Sequence, residues 1–91
     1  MSNTISQLKE RYEKAKRNVQ DYAQENLIFD VNDGDETYIQ LLITKLEAYK
    51  DLQQAKSPEF VFKKYHAPVI NHRIQSLKER LVSLQLRGDS V

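Results

Sequence analysis

The chain has 91 residues, a formal charge of +1, no Cys, no Trp, and only two Gly and two Pro. One domain is the most that this length supports, and such a chain buries barely enough apolar surface to be stable alone. The composition excludes thiolate, disulfide and zinc-thiolate chemistry and any Gly-rich phosphate loop, and it leaves only His66 and His72 as imidazoles.

The first predicted element is a helix over about residues 4–26. Nothing in it breaks a helix, and Ile5, Leu8, Tyr12, Ala15, Val19 and Tyr22 recur at alternating spacings of three and four, the heptad seam of a coiled coil. Ser2, Asn3 or Thr4 can cap its start, while Glu10 with Lys14 and Glu13 with Arg17 form i,i+4 pairs in the favourable order. A cluster of turn formers follows, with acids at Asp30, Asp33, Asp35 and Glu36 around Asn32 and Gly34.

A second helix is predicted over about 36–56, with Asp35 or Glu36 suited to its N-terminus. Its stripe of Ile39, Leu42, Leu46 and Tyr49 is widened by Tyr38, Leu41, Ile43 and Leu52, which predicts neighbours on two sides and a central place. The competing α+β reading makes residues 27–43 a hairpin around Asp33-Gly34, but the helical period runs unbroken to Leu52. Ser57-Pro58-Glu59 has the form of an N-cap with Pro at the first helical position, predicting a short aromatic helix over about 58–66. Pro68 is expected to end or kink it. Ile70, Ile74, Leu77, Leu81 and Leu84 then mark a third long helix over about 68–87, stopped by Gly88, with residues 88–91 as a tail.

These elements predict a single all-α domain, a small antiparallel bundle of three long amphipathic helices and one short one with coiled-coil-like seams. The narrow seam of the first helix, where a globular helix shows a broader stripe, points to packing against another chain.

Candidate chemistry is sparse. An EF-hand loop counted from Asp30 would need Gly at its sixth position and Glu at its twelfth, where this chain has Asp35 and Leu41, so the acidic cluster is read as a solvated turn. His66 and His72 are six apart across a proline, not on one helical face, and no serine stands in a G-x-S-x-G elbow. No catalytic residue, metal site or cofactor follows, and the chain is read as a non-enzyme. Arg87-Gly88-Asp89 matches an integrin-binding tripeptide, but the first residues lack the apolar run of a signal peptide and no stretch approaches the roughly 18 apolar residues of a membrane span. The expected location is the cytoplasm, or a host cytosol if the chain is virus-encoded, with no membrane and no small-molecule substrate inferred.

Lys and Arg total 14 against 13 Asp and Glu, so no whole-chain field draws the protein to nucleic acid. The charge is nonetheless polarised, since residues 9–17 and the stretch after Pro58 each carry a local excess of three positive charges, and residues 27–36 carry four negative ones. The leading functional reading is a protein–protein interaction module, an assembly factor, adaptor or inhibitor. It would offer Leu8, Tyr12, Val19, Tyr22, Leu77, Leu81 and Leu84 to a copy of itself or to a larger protein. Tyr at such positions suits an interface because its ring is buried while its hydroxyl stays wet. The alternative is a small nucleic-acid-binding regulator whose contacts would be Lys9, Arg11, Lys14, Lys16, Arg17, Lys63, Lys64, Arg73, Lys78 and Arg80, with Phe62 and Tyr65 available for stacking.

Overall fold

The computed structural model describes residues 4–30 and 34–89, with side chains as far as residue 86. Helix α1 spans Ile5–Glu25, α2 spans Glu36–Lys56, a single turn α3 spans Glu59–Val61, a π-helical turn spans Phe62–His66, and α4 spans Ala67–Asp89. No strand occurs among the described residues, which removes the hairpin alternative over 27–43.

The ends of α1 follow from local chemistry. The Thr4 hydroxyl accepts from the Gln7 amide at 3.1 Å while the Gln7 side chain accepts from the Thr4 amide at 3.0 Å, a reciprocal capping box. At the other end Ile28 N–H donates to the Ala23 carbonyl at 2.8 Å and Leu27 N–H to the Gln24 carbonyl at 3.4 Å. That pair is a Schellman closure, and it puts Leu27 in the left-handed region with φ 54°. Gly34 is buried, and a Cβ there would collide with the Tyr38 ring, so glycine is needed for close approach. Asp35 then caps α2, its Oδ1 accepting from the Tyr38 amide at 2.9 Å. Val31, Asn32 and Asp33 of the predicted acidic turn lie outside the described residues.

Ser57 and Pro58 are placed differently from the sequence expectation. Ser57 closes α2, donating its N–H to Gln53, and Pro58 is itself the cap of α3, its carbonyl accepting from Phe62 N–H at 2.9 Å. Pro68 neither ends nor separates a helix, because the chain stays helical from Glu59 to Asp89. A proline in α register collides with the carbonyl four residues back and offers it no N–H. The π turn just before Pro68, closed by Ala67 N–H donating to the Phe62 carbonyl, widens the backbone where that conflict falls. Ala67 keeps helical angles, φ −58° and ψ −44°, despite preceding proline. Gly88 does not stop the helix either, since α4 runs through it to Asp89.

Helix α2 is central, packing on α1 and on α4, which make no comparable backbone approach to each other. Both pairs are antiparallel. Arg11 with Asp51, Tyr12 with Tyr49 and Tyr22 with Asp35 fix the α1–α2 register, and Lys50 donating to Asn71 at 2.8 Å fixes α2 against α4. The two contacts use opposite sides of α2. Ile39 and Ile43 join Ile70 and Ile74 in the main core, whereas Ala48 and Leu52, nine residues further on, are half a turn out of phase and lie between Tyr49 and Asp51, the residues that meet α1. At about 25 cal/mol per Å² of apolar area removed from water, these two seams dominate the stability of a domain this small.

Candidate protein interface

The expected interface residues are largely consumed inside the chain. Leu8 and Val19 are buried, along with Ala15, on the face of α1 that meets α2. Tyr12 is half-buried, its ring tilted against Tyr49 with centroids 5.4 Å apart. Tyr22 is half-buried and donates its hydroxyl to Asp35 Oδ2 at 2.5 Å. That bond holds the Asp35 carboxyl below the usual carboxylate range, with the Tyr38 amide adding to the effect, and it raises the Tyr22 phenol. Leu77, Leu81 and Leu84 pack against the Ile39, Ile43, Ile70 and Ile74 cluster.

What remains open is a groove on one side of the α2–α4 seam, a stretch that the sequence reading did not single out. Two adjoining depressions, about 330 and 240 Å³, share Leu46 and Arg73. Their apolar lining is Leu42, Leu46 and Tyr49 from α2, Tyr65 from the π turn, and Val69, Ile70 and Leu77 from α4. Their charged and imidazole side chains are Lys45, His66, His72 and Arg73, with no carboxylate among them. Tyr65 and Val69 are more than half exposed. Of the seven expected interface residues only Leu77 belongs here. The signal that could have found it is the surplus width of the α2 stripe, since two flanking helices leave Leu42 and Tyr49 incompletely covered.

The depression on the opposite side of the same seam, about 440 Å³, is polar and mixed in charge. Glu47 and Asp51 stand there with Lys50 and Lys78, and Lys50 is already bonded to Asn71. A hollow of about 460 Å³ on α1 is bounded by that helix alone, Lys9, Lys14 and Arg17 alternating with Glu10 and Glu13.

The cations proposed for nucleic acid do not form one stripe. At about 100° per residue, positions 9 and 16 fall on one side of α1 and positions 11 and 14 on the other. Arg11 pairs with Asp51 at 3.0 Å, Lys63 pairs with Glu59 at 2.8 Å, and Lys64 lies 5.4 Å from the Tyr65 ring centroid. Arg73 rims the groove, Lys78 lines the polar depression, and Arg80 is half-buried. Phe62 is buried and stacked on His66 with centroids 6.4 Å apart, which takes it out of reach of a nucleobase. Among the described residues no group of three or more His, Asp or Glu is placed to hold a metal ion, and no helix is long and apolar enough to cross a membrane. No protein-family model, curated protein or solved structure matches this chain.

Proposed function

We propose that this chain is a non-enzymatic protein–protein interaction module, an assembly factor, adaptor or inhibitor, that works by accepting an apolar segment between α2 and α4. One observation carries the reading: Leu42, Leu46, Tyr49, Val69 and Leu77 form an open apolar groove whose charged neighbours are all basic, on a chain whose total charge is almost balanced. An apolar floor supplies affinity and a rim of one sign selects the partner by charge. The interleaved acids and the internal pairs of Arg11 and Lys63 weigh against a surface that tracks phosphates.

Sedimentation velocity from micromolar to millimolar protein, alone and with synthetic amphipathic helices bearing a Leu stripe and Glu flanks, tests the proposal. A complex in either arm supports it. A sharp monomer that ignores every helix overturns it, and so does tight, steeply salt-dependent binding to a DNA duplex or single strand, which would mark the nucleic-acid function instead.

A further inference from the structure

The groove has a complement elsewhere in the same sequence. From residue 18 to residue 44 the chain contains six acids, Asp21, Glu25, Asp30, Asp33, Asp35 and Glu36, and no Lys, Arg or His. At the centre of that stretch two large apolar side chains face solvent, Leu27 at 73% and Phe29 at 88% exposed. Apolar anchors within an acidic segment are what a groove with an apolar floor and a basic rim would recognise.

Leu27 adds a second, independent argument. It holds the left-handed position that closes α1, where a side chain is disfavoured relative to glycine. Its side chain recovers little of that cost locally, being mostly exposed. A residue that breaks a local rule without a local return is where a function outside the fold is to be sought.

Resting on the interaction-module reading, we infer that the occupant of the groove is a second copy of this chain, which inserts Leu27 and Phe29 between α2 and α4 beside Arg73 and Lys45. The contact joins two different surfaces. It therefore closes as a reciprocal dimer if each copy gives loop and groove to the other, and extends as an open chain if it does not. One aromatic side chain buries only about 150–250 Å², short of the roughly 800 Å² per partner of a stable interface, so the reciprocal dimer is the form we assign.

The test uses variants at exposed positions, so the fold is retained, and circular dichroism verifies this. Phe29→Asp damages the loop, and Val69→Asp with Arg73→Glu damages the groove. Light scattering on the wild-type chain at high concentration should show a dimer that each variant loses. An equimolar mixture of the two variants keeps one loop and one groove, hence a single contact, and should associate far more weakly than the wild type. Wild-type-like dimers that persist in either variant, or a mixture that associates as tightly as the wild type, overturn the inference. A wild-type chain that is monomeric throughout overturns it as well. The wider reading survives that last result if the monomer still binds a synthetic helix, and falls with it if no helix binds.

Discussion

Leu27 is where the backbone is held against its preference. The Schellman closure of α1 requires φ near +54° at that position, and glycine adopts it without the steric cost of a Cβ. Because the Leu27 side chain is mostly exposed, little packing is lost with it, and Leu27→Gly should stabilise the monomer by about 0.5–1 kcal/mol after the extra unfolded-state entropy of glycine is counted. Thermal melts of dilute protein check this, and a lower melting temperature would refute it. Asp35 makes a different prediction. Its folded-state pKa is depressed, first by the Tyr22 hydroxyl and then by the Tyr38 amide, so its contribution is present above the unfolded value near pH 4 and lost as pH falls through the lower folded value. Tyr22 is raised, so its contribution is present below about pH 10 and lost as pH rises through the folded value. Urea melts across pH should show both limbs, and Tyr22→Phe should weaken the alkaline limb, leaving the share of Lys63 raised by Glu59, and weaken the acid limb in part.

At the scale of the element, periodicity carried most of the information and boundaries carried least. The spacing of Ile5 through Tyr22 and of Ile70 through Leu84 predicted α1 and α4, and the doubled stripe from Tyr38 to Leu52 predicted a central α2, as found. Pro68 misled because its usual consequence assumes α register behind it, and a π turn at Phe62–His66 is a cooperative backbone choice with no mark of its own in the residues. The narrow seam of α1 misled in another way. A narrow stripe reports a single neighbour but not whose chain that neighbour belongs to, and here it is α2 of the same chain. Val19→Asp therefore places an unpaired charge in a buried seam and should cost on the order of 3 kcal/mol or more, lowering helicity at every concentration. Val69→Asp, on a half-exposed site, should leave the melt nearly unchanged. Equal effects of the two on circular dichroism would mean that the seams are assigned wrongly.

The whole molecule is built from two antiparallel pairs that share α2, and this sharing creates the groove. Sequence could rank stripes by width, but it could not say which flank of a doubly packed helix stays uncovered, since that depends on where both neighbours come to rest. The basic rim was hidden for the same reason: Lys45, His66, His72 and Arg73 are dispersed in the chain and converge only when α4 lies along α2. The shared helix also bears on how the protein assembles itself. Every principal partner of a long helix is the next long helix in the chain, α1 reaching α2 across residues 26–35 and α2 reaching α4 through Ser57-Pro58 and the helical turns that follow. Contacts so local demand little loop-closure entropy before they repay it, which places the chain among rapid folders. They also give the molecule two seams on opposite sides of α2, so that either outer helix can open while the other pair stays joined.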